Sequence, residues 1–119
     1  MNDVIRELLT SGGIDVDGML SRCMGNETLF ERLLKKFPSD RSYFSLVEAL
    51  QNGDENAATE ASHTLKGVAG NLSIKELYTL VDSQVQALRR HDMDSALSMM
   101  PDITLKYNNA VNAIQKSFN

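Results

Sequence analysis

Apolar residues recur at spacings of three and four along almost the whole chain, which places them on one face of an α-helix. The alternation of apolar and polar residues that is typical of half-buried strands is missing. The clearest stretch is residues 54–73, called the central helix below. Its apolar stripe consists of Ala58, Ala61, Leu65, Val68 and Leu72. The pattern predicts an all-α fold.

Residues that end helices divide the first half of the chain. Ser11-Gly12-Gly13 and Gly25-Asn26 end two short N-terminal helices, the second of which begins at Asp15 or Asp17. Residues 26–52 then form one longer leg, capped at its start by Asn26. Pro38 either kinks this leg or divides it into two helices.

Both ends of the central helix carry capping signals. Asp54 is the predicted N-cap. Ser73 and Glu76 have the spacing of a capping box, with Leu72 and Leu77 at the positions of a hydrophobic staple. We therefore expect the next helix to begin at Ser73, after a turn so tight that the two helices lie antiparallel.

Two more helical legs complete the chain. The first runs from Ser73 to His91, and the last runs from Asp92 or Asp94 to the C-terminus. Pro101 interrupts the last leg, as a kink or as a second helix start. The sequence predicts a single domain over residues 1–119, an antiparallel four-helix bundle with two short N-terminal helices.

Composition narrows the function classes. The 119 residues are 42% hydrophobic and 24% charged, which is typical of a soluble domain, and the net charge of −4 argues against a nucleic-acid face. Cys23 is the single cysteine, so no internal disulfide forms. No signal peptide and no membrane span is recognisable, so we expect a cytoplasmic protein. Met1 favours a free-standing protein over a piece of a hybrid kinase.

His63 lies opposite the apolar stripe of the central helix. A helix turns by about 100° per residue. Measured around the helix axis from Ala58, His63 lies at about 140°, whereas the apolar stripe averages about 320°. Lys66, Gly67 and Gly70 share this outward face at offsets of three, four and seven. A glycine inside a helix costs about 1 kcal/mol relative to Ala. Two of them beside an exposed His indicate a surface that must stay free of side chains, although a merely solvated His is the alternative.

Metal binding and hydrolysis fit this face poorly. Glu60 and His63 form one Glu-x-x-His pair, whereas di-metal bundles need two such pairs directed into the core. The chain has two His and one Cys, so we expect no metal site. Ser62 and Thr64 point away from His63, which argues against a hydrolase triad. His91 is interpreted as a helix-end residue.

Phosphoryl transfer uses every part of the pattern. A neutral imidazole offers one unprotonated ring nitrogen as a nucleophile. Lys66 can neutralise the added phosphoryl charge from one turn away. Gly67 and Gly70 leave room for a docking protein against the helix.

Residues 61–72, ASHTLKGVAGNL, closely resemble the signature of histidine phosphotransfer (HPt) domains of bacterial phosphorelays. The resemblance extends upstream through residues 13–16, 29–37 with Asp40, and 49–54, so it covers most of the chain. It implies a four-helix bundle. It also implies a His that accepts a phosphoryl group from the Asp of one receiver domain and passes it to the Asp of another.

The resemblance assigns roles by position. His63 is the phosphorylated residue, Lys66 the charge neutraliser and Gly67 the clearance residue. HPt domains often orient the His with an amide from the following helix, for which Gln84 and Gln86 are both candidates.

One position departs from the family. Ser73 stands where HPt domains usually have Gly after the Leu, and the predicted capping box gives Ser73 a local reason.

The resemblance also implies the partners. The chain has no Gly-rich nucleotide loop, so we expect no autokinase activity and no cofactor, with Mg²⁺ only in the partner receiver domain. Response-regulator receiver domains and a hybrid sensor kinase are the expected partners of a monomer. Lys66, Lys75, Arg89 and Arg90 are candidates for a basic surplus facing the acidic receiver. The alternatives are a non-catalytic helical adaptor that binds a receiver or kinase, and a plain structural domain.

Overall fold

The computed structural model describes residues 1–119 and consists of helices without any strand. The elements are α1 (Asp3–Ser11), α2 (Val16–Arg22), α3 (Glu27–Lys36), a 3₁₀ helix (Phe37–Ser39), α4 (Ser42–Gln51), α5 (Glu55–Asn71), α6 (Lys75–Arg89), α7 (Met93–Ser98) and α8 (Met100–Phe118). The predicted all-α class is confirmed. None of these helices combines the length and the apolar character that a membrane-spanning segment requires.

Side-chain hydrogen bonds cap the starts of five helices, including α1, where Asn2 accepts from the N–H of Ile5 at 2.8 Å. Asn26 and Asp54 accept hydrogen bonds from backbone N–H groups three residues later, at 3.0 and 3.1 Å, as predicted. Of the alternatives that the sequence left open, Asp15 caps α2 and Asp92 caps α7, each at 3.1 Å. These caps fix where the helices start.

Both prolines separate helices instead of kinking one. Pro38 lies in the 3₁₀ helix between α3 and α4, so residues 26–52 form two helices. Pro101 lies in the first turn of α8, where its missing N–H would have no partner within the helix.

The start of α6 differs from the prediction. Ile74 precedes the helix, and no side chain caps it, so the capping box between Ser73 and Glu76 is wrong. The staple assignment of Leu72 and Leu77 is wrong with it, although both side chains are buried. Ser73 belongs to the end of α5, because it has a φ of 55° in the left-handed region.

A Schellman motif makes this turn. The N–H of Ser73 donates to the carbonyl of Gly70 at 3.2 Å, and the N–H of Ile74 donates to the carbonyl of Ala69 at 3.0 Å. The same pair of bonds closes α1, α2, α4 and α6, where the left-handed residues are Gly13, Met24, Gly53 and His91.

Helix α5 lies between α4 and α6, while α1, α3 and α6 pack on α8. The predicted stripe of α5 is buried, with Val68 partly so. Side-chain contacts run in opposite order along α5 and α6, so these helices are antiparallel as predicted. The contacts join Glu55 to His91, Ser62 to Gln84, and Lys66 to Asp82.

Candidate functional site

His63 is exposed in the middle of α5, half-way along a helix of 17 residues. The hydroxyl groups around it are engaged elsewhere. Thr59 and Thr64 donate to backbone carbonyls one turn earlier, and Ser62 donates to Gln84 at 2.8 Å in the core. No serine–histidine pair exists here, and the imidazole faces solvent on a rigid scaffold.

A cleft of about 490 Å³ opens beside His63 between α5 and the end of α6. Its lining carries two carboxylates, one guanidinium and a second imidazole. The lining residues are Glu55, Asn56, Thr59, Glu60, His63, Thr64, Leu88, Arg89 and His91. The charges in the cleft are therefore mixed, and the expected basic surplus is not present there.

The four candidate cations do not share one face. Arg89 lines the cleft, whereas Lys75 pairs with Asp15 at 2.9 Å near the α5–α6 turn. Arg90 is exposed after the end of α6. Only Arg89 and Lys66 lie near His63, so two of the four candidate side chains supply positive charge beside the imidazole.

The sequence placed Lys66 on the outward face of α5, but its ammonium group is paired. Its side chain is 22% exposed, and its Nζ lies 3.0 Å from Asp82 Oδ1 on α6. The ammonium also lies 5.9 Å from the centre of the Tyr78 ring. The hydrogen bond from Lys66 is the main reason why the pKa of Asp82 is lowered, with a smaller contribution from Gln86.

The two glycines of the motif have different surroundings. A Cβ on Gly67 would meet no atom within 4 Å, so this position is open to solvent. A Cβ on Gly70 would lie 3.1 Å from Cδ2 and 3.2 Å from Cε2 of the Tyr78 ring. The interpretation of Gly70 as outward clearance is therefore corrected, because Gly70 makes room for an aromatic ring of α6.

The two candidate amides also differ. Gln84 is fully buried, where it accepts from Ser62 and its Nε2 donates to the carbonyl of Ala96 at 3.0 Å. Its amide is used in the core and does not orient His63, which corrects that assignment. Gln86 is exposed and helps to lower the pKa of Asp82, and its role toward His63 stays a prediction.

His91 contacts the carboxylate of Glu55 through Nδ1 and closes α6 in the left-handed conformation. It acts as the helix-end residue that the sequence predicted. No group of three or more His, Cys, Asp or Glu side chains is placed to hold a metal ion.

Comparisons of the chain with protein-family models, with curated proteins and with solved structures gave no match.

Sequence reasoning missed Asp82 and Tyr78. The tight turn centred on Ser73 was a usable signal, because residues at nearly equal distances before and after such a turn lie close together on antiparallel helices. Lys66 and Asp82 are seven residues before and nine residues after Ser73. Their opposite charges could therefore have been paired.

Proposed function

We propose that this chain is a histidine-containing phosphocarrier of the HPt type, which relays a phosphoryl group between receiver-domain aspartates through His63. One observation carries the proposal: an unpartnered, exposed imidazole sits in mid-helix beside the open surface of Gly67. A rigid helix presents the nucleophile, and the clear surface admits the partner's active site.

The reaction needs little from the chain itself. The unprotonated ring nitrogen of His63 forms a P–N bond, while the P–O bond of the receiver's acyl phosphate breaks. The electron pair of that bond returns to the Asp carboxylate, and the second ring nitrogen keeps its proton. Transfer to the next receiver reverses these bonds. Catalysis rests on position and charge neutralisation, so Mg²⁺ in the receiver and Lys66 here suffice.

The proposal includes the four-helix bundle. Its legs are α3 with α4, then α5, α6, and α7 with α8, and the short helices α1 and α2 pack outside them. The packing of α5 between α4 and α6, and of α3 and α6 on α8, supports this arrangement.

The implied setting is cytoplasmic, with a monomer that meets a hybrid sensor kinase and a response regulator in turn. The second candidate is a non-catalytic adaptor. The availability of His63 favours the carrier, because binding alone does not require an unpartnered nucleophile.

Incubation with a phosphorylated receiver domain tests the proposal. We expect acid-labile phosphate on the wild-type protein and none on His63→Gln. His91→Gln is the matched control, since it removes the other His at an exposed position and should keep the label. Label that persists on His63→Gln contradicts the assignment. Normal receiver binding without any label on the wild type establishes the adaptor.

A further inference from the structure

The ammonium group of Lys66 already has a partner before any phosphoryl group arrives. Asp82 holds it at 3.0 Å, and the ring of Tyr78 lies beneath it. Residues three apart on a helix are neighbours, so a phosphoryl group on His63 appears next to this pair. The assigned neutraliser is thus committed elsewhere in the resting protein.

We propose that Asp82 is a positioning residue that holds Lys66 until His63 is phosphorylated, when Lys66 exchanges the carboxylate for the phosphoryl oxygens. The inference rests on the proposed phosphocarrier function. The exchange breaks no covalent bond and requires only rotation of the lysine side chain. A flexible four-carbon stem with a compact charge suits such a movement.

Charge and exposure both favour the exchange. A phosphoryl group carries about two negative charges near neutral pH, whereas Asp82 carries one. The Asp82 side chain is 39% exposed, so water can solvate the carboxylate after Lys66 leaves. A pair this exposed is weak enough to be broken by a stronger anion.

Gly70 contributes to this arrangement through its contact with Tyr78. Its missing side chain lets the ring of Tyr78 lie against α5, with ring carbons 3.1 and 3.2 Å from the place of a Cβ. The ring lies on one side of the lysine, with its centre 5.9 Å from the ammonium nitrogen. Tyr78 and Asp82 together therefore define the resting position of Lys66.

The test is Asp82→Asn, which releases Lys66 and keeps the side-chain size. With a phosphorylated receiver, the equilibrium should shift toward phosphorylated His63 by roughly two- to fivefold, the range for an exposed ion pair. The double variant Lys66→Met/Asp82→Asn should lose this shift relative to Lys66→Met alone. Asp82→Glu, which keeps the charge, should restore the wild-type equilibrium.

A second measurement does not depend on a receiver. Phosphoramidate phosphorylates His63 chemically, because its P–N bond breaks, ammonia leaves and a new P–N bond forms on the imidazole. The ³¹P signal of the product is then titrated with pH. Asp82→Asn should lower the midpoint of that titration by about 0.3–0.7 pH unit, because a free Lys66 favours the charged phosphoryl form.

Glu76→Gln is the charge control. Glu76 lies on α6, as Asp82 does, and it pairs with Lys106 of α8 at 2.6 Å. An equal shift in Glu76→Gln, an unchanged equilibrium in Asp82→Asn, or a shift that survives without Lys66 would each overturn the inference. If the receiver fails to label the wild type, the relay function fails, and the ³¹P titration still decides whether Asp82 controls Lys66.

Discussion

Ser73 occupies a backbone conformation that glycine adopts at lower cost. Its φ of 55° is left-handed, which costs an L-residue about 1–2 kcal/mol. Two of the five Schellman turns use glycine at this place, at Gly13 and Gly53. Serine at this place therefore stores strain at the α5–α6 turn, and no side-chain capping bond at the start of α6 compensates it.

Replacing Ser73 by glycine should relieve this strain. Ser73→Gly is expected to raise the free energy of unfolding by about 0.5–1 kcal/mol, after allowance for the greater freedom of glycine in the unfolded chain. Urea denaturation followed by circular dichroism measures it.

Ser83→Gly is the matched control, because Ser83 is exposed inside α6 and the same substitution there should lower stability by about 0.5 kcal/mol. Destabilisation by both variants would show that the left-handed backbone at residue 73 is not strained.

At the scale of the helix, the outward face of α5 shows which properties of a side chain the sequence can predict and which it cannot. The 3.6-residue period placed His63 in solvent correctly, because one helix suffices for that inference. The environments of Gly70 and Lys66 depend on Tyr78 and Asp82, which belong to the next helix. Those contacts depend on the register between α5 and α6, which the pattern of one helix alone does not determine.

The open surface at Gly67 leads to a prediction about docking. Gly67→Leu should fold with the free energy of unfolding unchanged or higher by up to about 1 kcal/mol, because no atom lies within 4 Å of its Cβ and leucine favours helices. The initial rate of phosphoryl transfer from a receiver should fall by about tenfold or more, the equivalent of 1.4 kcal/mol in docking.

Asn112→Leu adds the same side chain at an exposed position of α8 and should leave transfer unchanged. Full-rate transfer by Gly67→Leu would show that the receiver does not approach over this surface.

At the scale of the whole molecule, the N-terminal segment is tied to the α5–α6 turn. The N–H of Asp15 donates to the carbonyl of Ser73 at 2.9 Å, and its carboxylate pairs with Lys75 at 2.9 Å. Helix α1 packs on α8 at the same time. The two short N-terminal helices thus connect elements that lie far apart in the sequence, which local patterns alone did not indicate.

The bond between Asp15 and Lys75 predicts how stability responds to acid. Lys75 first, and the N–H of Gly18 second, hold the pKa of Asp15 below its ordinary value in the folded state. The pKa values of Asp82 and Asp92 are lowered as well. Groups with depressed pKa values contribute stability above the unfolded-state pKa of about 4, and this contribution is lost as pH falls through the folded-state values.

The free energy of unfolding, measured by urea titration from about pH 6 to about pH 2, should therefore decline below about pH 4. Asp15→Asn should make this decline shallower, because the variant has one group fewer that binds a proton more readily in the unfolded chain. Lys75→Met should reduce the slope by a smaller amount, since the N–H of Gly18 still favours the ionised carboxylate. Profiles of both variants that run parallel to the wild type would show that this link between the N-terminal segment and the α5–α6 turn carries no acid dependence.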